Sequence, residues 1–390
     1  MTEHVRTRVA IVGAGPAGLL LSALLHRDGI DSIVIESRSR EEVEQTIRAG
    51  ILEQGTVEVL RELGGTRVDE VGQRHDGVEL RADGVGHRID FQGLVGRSVW
   101  LYPQHEVLID LIAKRLADGG DVRFGVTATE IDSADPNAPV IHAETEDGQR
   151  LEIAADVLVG ADGSRSVVRA AVTGDPFAGY FREYPFAWYG ILCEAPPSSE
   201  ELIYSTTDRG FALISQRSAT VQRMYLQCDP ELDPNAWSDS FVWDELQART
   251  GGGLTEGPIF QRDVLRFRSF VAAGMRRGRI LLAGDAAHTV PPTGAKGMNL
   301  AIADIVVLHR AIAEWVASGS EAGIEAYEST ITERIWKAQH FSWWMTSMLH
   351  SAPDATAFDE RRRLAELTAV SSSQRGAAFL AEAYTGWPLP

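Results

Sequence analysis

Gly13, Gly15 and Gly18 form the pattern GxGxxG, which lets a chain turn tightly and bring backbone amides against a phosphate at a helix N-terminus. Arg8 to Val12 reads as a short buried strand before it, Ala17 to Asp28 as a helix after it, and Ser32 to Ile35 as a second strand. That strand ends on Glu36, about where a carboxylate would hold a ribose hydroxyl. The bland alternative is a glycine turn followed by a surface glutamate; strand, turn, helix and acid in this order favour a dinucleotide site. Two more segments run a strand into a turn. Val157 to Gly163 (VLVGADG) ends in Ala161, Asp162 and Gly163, although Asp-Gly alone is a common turn. Arg279 to His288 (RILLAGDAAH) delivers Gly284 and Asp285, and Pro291 to Asn299 then gathers backbone amides, Lys296 and a helix start. In isolation this last stretch reads equally well as a proline-capped helix. Ser215 and Arg217 alternate with Gln216 on an apolar strand and so share one face; a surface arginine is the plainer reading of Arg217 alone.

The elements that position these residues fall into three parts. The chain has 390 residues, 44% of them hydrophobic and 24% charged, enough for two or three packed domains. Residues 1–180 read as a nucleotide-binding domain that opens with a parallel βαβ unit, with some strands near 76–100 belonging to the next domain. Residues 181–270 change to short alternating segments such as Glu201 to Tyr204, Phe211 to Ser215 and Met224 to Gln227, a β-rich domain. Residues 271–390 complete the nucleotide site and continue with helical periodicity over Gly297 to Val316 and Glu321 to Leu349. The fold class is therefore α/β, Rossmann-like, with a β-sheet domain and a helical C-terminal region. No internal repeat is visible, and the serine run Ser371 to Ser373 reads as a loop.

A formal charge of −18 argues against nucleic acid and anionic membrane surfaces as partners. Two cysteines, Cys193 and Cys228, make no disulfide framework, and the histidines show no metal-ligand spacing, so no metal is expected and a reducing, cytoplasmic setting is. Ala10 to Leu25 is apolar and follows two arginines, but three glycines and a proline break it up, so it reads as strand, turn and helix rather than a signal peptide.

The three fingerprints, in this order and at these separations, resemble the FAD-binding set of the class A flavoprotein hydroxylases. The resemblance narrows to the p-hydroxybenzoate hydroxylase family on Ile47 to Gly55 (IRAGILEQG), Glu201 to Thr220, Ala283 to Ala301 and Arg334 to His350 (RIWKAQHFSWWMTSMLH). It implies an FAD-dependent monooxygenase that uses NADH or NADPH and O2 to convert 4-hydroxybenzoate into 3,4-dihydroxybenzoate through a flavin C4a-hydroperoxide, as a homodimer.

Residue by residue, the resemblance implies that Ser215, Arg217 and Tyr225 hold the substrate carboxylate, for which a planar guanidinium and two hydroxyls are suited. Tyr204 and Tyr384 would contact the phenol and pass its proton on, with His75 at the end of the relay. Trp188, Leu202, Leu213 and Ile51 would wall the pocket, and the carbonyl of Pro292 would face the reacting ring. Gly13, Gly15, Gly18, Glu36, Arg48, Gln104, Asp162, Gly163, Asp285, Lys296 and Asn299 would hold FAD, and Arg223 would be linked to flavin movement.

The sequence departs from the family at Thr46, Ser164 and Arg165, where the resemblance places the nicotinamide cofactor. Glu41, Glu42 and Glu44 stand there beside Arg38 and Arg40. Carboxylates repel a 2′-phosphate and arginines attract it, so NADH is expected to serve at least as well as NADPH, although Arg169 and Arg268 match further cofactor-contacting arginines. The substrate alternatives are 3,4-dihydroxybenzoate and 4-aminobenzoate; a flavin-binding protein without hydroxylase activity is the alternative of another class. Phe341, Trp343 and Trp344 are expected in the core rather than on a dimer surface.

Overall fold

The computed structural model describes residues 2–46 and 50–389. Arg48, expected near the flavin, lies outside the described residues. The apolar N-terminal segment is the strand Thr2–Val12 running into the helix Pro16–Arg27, whose residues Ala17 to Leu25 are all buried. That strand lies in the middle of a sheet, parallel to Ser32–Glu36 on one side and to Arg150–Gly160 on the other. Ile280–Leu282 extends the sheet, parallel to Arg150–Gly160. Strands covered on both faces read as continuous apolar runs, which explains the AIV, VLV and ILL segments.

The second sheet has, among the described residues, eight strands with Gly179–Glu194 and Ile259–Ala272 as its longest members. Ile203–Thr207, Gly210–Gln216 and Val221–Cys228 form an antiparallel meander within it. The hairpin Gly77–Ala82 and Val85–Asp90 crosses from the N-terminal part of the chain and pairs in parallel with Ile203–Thr207. A three-stranded sheet, Ile51–Glu53, Val99–Leu101 and Gln73–His75, sits at the junction.

The β-rich stretch also holds a helix, Asp239–Thr250, that the alternation did not predict; Ser238 caps it and Gly251 ends it in a left-handed conformation. Glu245 and Arg249, buried and paired across one helical turn, tie it to the meander through the Phe211 and Gln227 carbonyls. The helices Gly297–Ser318 and Ala322–Leu349 follow the predicted spans closely. The serine run is no loop: Ser371 and Ser372 close the helix Ala357–Ser372, and the Ser373 side chain caps Gln374–Thr385. Of the aromatic run, Phe341 is in the core, Trp344 is partly buried against it, and Trp343 is 39% exposed. Among the described residues no helix is long and apolar enough to cross a membrane, and no cluster of ligating side chains could hold a metal ion.

Candidate active site

The parallel register brings the three fingerprints together at the carboxyl ends of neighbouring strands. Val12 pairs with Gly160, and Gly160 with Leu282, so the turns at Gly13, Ala161 and Ala283 leave the sheet side by side. Their backbones interlock: the Ala161 amide donates to the Val12 carbonyl at 2.8 Å and the Ala283 amide to that of Gly160 at 2.9 Å. A side chain at Gly13 would start 2.3 Å from the Ala161 carbonyl oxygen, and one at Gly18 2.0 Å from that of Gly13. These two glycines serve close packing. Gly15 differs, because a Cβ there would meet nothing within 4 Å. It faces open space at the start of Pro16–Arg27, a helix with no side-chain cap and no acid in its first turn, which suits a pyrophosphate.

Around this crevice the predicted residues differ in what they are free to do. Glu36 is buried, accepting from the Ala14 amide at 2.9 Å and pairing with Arg38 at 2.9 Å. Asp162 accepts from the Val167 amide, yet its Oδ1 is buried with no partner among the described residues, and burial pushes its carboxyl up from the usual range. An orphaned carboxylate oxygen in the second fingerprint, beside Gly163, fits a group that brings hydroxyls. Asp285 lies on the short turn Gly284–Ala286, and Gln104 begins the helix Gln104–Ala117. Taken together, the open face of Gly15, the uncapped helix and the orphaned Asp162 oxygen fit FAD.

Lys296 and Asn299 make several hydrogen bonds within the protein. The Lys296 ammonium, 2% exposed, sits 2.6 Å from Glu53 Oε1 and donates to the Tyr384 carbonyl. Asn299 accepts from the Glu53 amide and Thr56 hydroxyl and donates to the Ile51 and Ala295 carbonyls. Both therefore clamp the segment around Ile51 to the start of Gly297–Ser318.

A second cavity lies between the second sheet, the three-stranded sheet and the turn at Pro292–Gly294. Its wall contains Ser215, Arg217, Arg223 and Tyr225 from the meander, Trp188, Leu202, Tyr204 and Leu213 beside them, and Ile51, Pro292 and Ala295 opposite. Every residue expected to bind or enclose an aromatic acid is in that wall except Tyr384, which stands behind Tyr204 and reaches the cavity only through its hydroxyl. Ser215 reaches it from the strand Gly210–Gln216 and Arg217 from the first residue past that strand's end. Burial pulls the Arg217 guanidinium below its usual range, so the desolvated cation gains from an anionic partner. Arg223 is held by Asp263 at 2.7 and 2.8 Å and lies 5.0 Å from the Tyr225 ring. Ala295 takes a left-handed φ of 53°, an uncommon strain for a residue with a Cβ, just where the chain turns from Pro292 into the helix.

At the far wall the Tyr204 and Tyr384 hydroxyls lie 2.7 Å apart, and Tyr204 also donates to the Thr293 carbonyl at 3.3 Å. Both rings are about 1% exposed. Burial pushes both phenols well above their ordinary range, Tyr204 further through Tyr384, so neither rests as tyrosinate at neutral pH. His75 is buried, and neither ring nitrogen has a hydrogen-bond partner among the described residues. Burial lowers its pKa while Glu201 and Asp76 pull it back up. Among the described hydrogen bonds none joins His75 to Tyr384.

Thr293, Glu53, Thr346 and His350 carry no assigned role in the sequence although each stands within a segment of the resemblance; here they hold Tyr204, Lys296, Thr293 and Trp188 in turn. Ser164 accepts from Arg268 at 2.8 Å, and Arg169 is spent on the Ser164, Pro176 and Ala286 carbonyls.

The sequence profile of the FAD binding domain family matches residues 6–342. The chain is 41% identical over 392 aligned residues to p-hydroxybenzoate hydroxylase of Acinetobacter baylyi, covering 99% of this chain and 96% of that one. Among solved structures it is similar to p-nitrophenol 4-monooxygenase of Pseudomonas putida, with a TM-score of 0.79 at 20% identity over 98% and 99% of the two chains. The Diels-Alderase PyrE3 superimposes with a TM-score of 0.77 at 22% identity, over 97% of this chain and 80% of that one. At such identities the likeness shows the fold alone; the cavity wall carries the chemistry.

Proposed function

Because this chain belongs to the FAD-dependent aromatic hydroxylases of the p-hydroxybenzoate hydroxylase family, we propose that it converts 4-hydroxybenzoate into 3,4-dihydroxybenzoate with NAD(P)H and O2. The observation that carries this reading is one cavity whose wall holds both a cation, Arg217 with Ser215 and Tyr225, and a tyrosine hydroxyl, that of Tyr204, paired with Tyr384.

Bound FAD supplies the redox chemistry, taking electrons from the nicotinamide and activating O2; Gly13, Gly15, Gly18, Glu36, Asp162 and Asp285 would hold it. Arg217 fixes the carboxylate by charge-assisted hydrogen bonds, and Ser215 and Tyr225 complete its coordination. A benzoate so anchored places its 4-hydroxyl toward Tyr204. Tyr204 turns its hydroxyl hydrogen from the Thr293 carbonyl to Tyr384 and accepts the phenolic proton, while Tyr384 releases its own hydrogen onward, a handover that needs no tyrosinate at rest. The phenolate so formed is electron-rich at the carbon beside its oxygen, where the new hydroxyl is added. Trp188, Leu202, Leu213 and Ile51 keep the cavity apolar and exclude water. His75 would carry the proton onward, and Arg223, Gln104 and Arg48 would act near the flavin.

The reductant is NADH at least as readily as NADPH. Arg38 is occupied by Glu36 and Thr46, and Arg40 by Glu44, which leaves that corner little attraction for an extra phosphate. The protein is a homodimer in the cytoplasm on this reading; the two free, buried cysteines support the reducing compartment. The test is to give FAD-loaded protein 4-hydroxybenzoate, O2 and NADH or NADPH. Near-equal yields of 3,4-dihydroxybenzoate and oxidised nicotinamide support the reading. Oxidation without product points to another aromatic acid, and no stimulation to a non-hydroxylating flavoprotein.

A further inference from the structure

The end of helix Ala322–Leu349 reaches both walls of the substrate cavity from behind. His350, its C-cap, is 3% exposed, and its Nδ1 lies 2.9 Å from the Thr346 carbonyl oxygen. That nitrogen therefore carries the proton, and Nε2 keeps a lone pair. Trp188 donates its indole Nε1–H to that lone pair at 2.7 Å. The imidazole is enclosed by Phe186, stacked at 4.8 Å, and by Phe211 and Phe267 at 4.3 and 5.6 Å. Burial pushes it down to about 3, so it stays a neutral acceptor. One turn earlier, the buried Thr346 hydroxyl lies 2.9 Å from that of Thr293, the residue after Pro292 whose carbonyl accepts from Tyr204.

An indole N–H buried as deeply as that of Trp188, 2% exposed, needs an acceptor. Without one the ring turns to find another, and the open direction is the cavity that it lines beside Tyr225, 4.7 Å away. We propose that His350 and Thr346 set the width of the substrate cavity, His350 as the positioning residue that holds the Trp188 wall and Thr346 as the tether of the Pro292–Thr293 wall. Selection among aromatic acids is thus set partly by residues that never touch them. The inference rests on the cavity being the substrate site.

The experiment compares His350→Leu, His350→Gln, Trp188→Phe and the Trp188→Phe/His350→Leu double variant, each FAD-loaded, by flavin absorbance on titration with 4-hydroxybenzoate and by steady-state kinetics. Leucine at 350 strands the indole N–H and is expected to weaken binding about five- to a hundredfold. The loss should fall on KM, with kcat at saturation within about threefold, and selectivity between 4-hydroxybenzoate and the wider 3,4-dihydroxybenzoate should change. With phenylalanine at 188 no donor is left to strand, so the same change should cost less than about twofold. Glutamine, whose amide oxygen accepts, should restore much of the affinity. An equal loss from His350→Leu with either residue at 188, or unchanged selectivity, overturns the proposal. Should His350→Leu fail to retain FAD, the glutamine and double variants decide: the proposal is wrong if the double variant binds 4-hydroxybenzoate more than about fivefold more weakly than Trp188→Phe alone, or if His350→Gln loses as much affinity as a stranded indole N–H would cost, about fivefold or more. Arg217→Ala separates the premise, since wild-type affinity there would remove the substrate-site reading itself.

Discussion

The hydroxyl oxygens of Tyr204 and Tyr384 lie 2.7 Å apart, although one belongs to a strand of the second sheet and the other to the helix Gln374–Thr385. Replacing Tyr204 by phenylalanine breaks the first link of the relay. The expected result is a fall in kcat of about 10²- to 10⁴-fold, the usual range for a positioned acid or base, with a smaller change in KM. Product formation by Tyr204→Phe at wild-type rate would show that the phenol loses its proton elsewhere.

Arg217→Ala removes the cation that faces the proposed carboxylate. Binding of 4-hydroxybenzoate should weaken by about two orders of magnitude, since a hydrogen bond to a charged group is worth roughly 1.5–3 kcal/mol and Arg217 can make two. Arg217→Lys should recover the charge and not the bidentate geometry, and fall between the two. Equilibrium titration checks the order; indistinguishable lysine and arginine proteins would argue against a forked contact.

His350 gives stability a pH dependence. Its folded pKa is depressed to about 3 from an ordinary 6.5, so the unfolded chain takes up a proton that the folded one refuses. The stability that this neutral histidine contributes is complete above about pH 6.5 and is lost as pH falls toward 3, at up to about 1.4 kcal/mol per pH unit. Urea unfolding between pH 7 and 4.5 should show that slope, and His350→Gln should be flatter by most of it. Equal slopes would contradict the assignment.

Lys296 and Glu53 form an ion pair with neither partner more than about a tenth exposed, and Arg334 lies 3.6 Å from the same carboxylate. Removing one member, as in Lys296→Met, is expected to cost about 3 kcal/mol, because the carboxylate is left poorly compensated. Adding Glu53→Gln should return much of that. Thermal unfolding of FAD-loaded proteins measures both; additive losses in the double variant would mean that the pair is not coupled.

With 4-hydroxybenzoate present, kcat/KM for NADH should equal or exceed that for NADPH. A large preference for NADPH would mean that the arginines near Ser39 leave their carboxylates to meet the 2′-phosphate.

Much of this was legible in the sequence, because local rules write it there. The glycine spacing, the apolar strands and the acid at Glu36 specify a parallel nucleotide-binding unit through backbone geometry and periodicity, which need only near neighbours in the chain. The alternation around Ser215 and Arg217 likewise places both on one face. The helix Asp239–Thr250 escaped because it lies in a stretch otherwise dominated by strand alternation and shows no clear apolar stripe of its own. Only the tertiary structure decided that Lys296 and Asn299 tie down Glu53 and Ile51, that Thr293 receives Tyr204, and that His350 holds Trp188 across 162 residues. Such partners are chosen by the need to satisfy each buried polar group with whatever the fold brings within reach, and that neighbourhood exists only after strands far apart in sequence have been laid side by side.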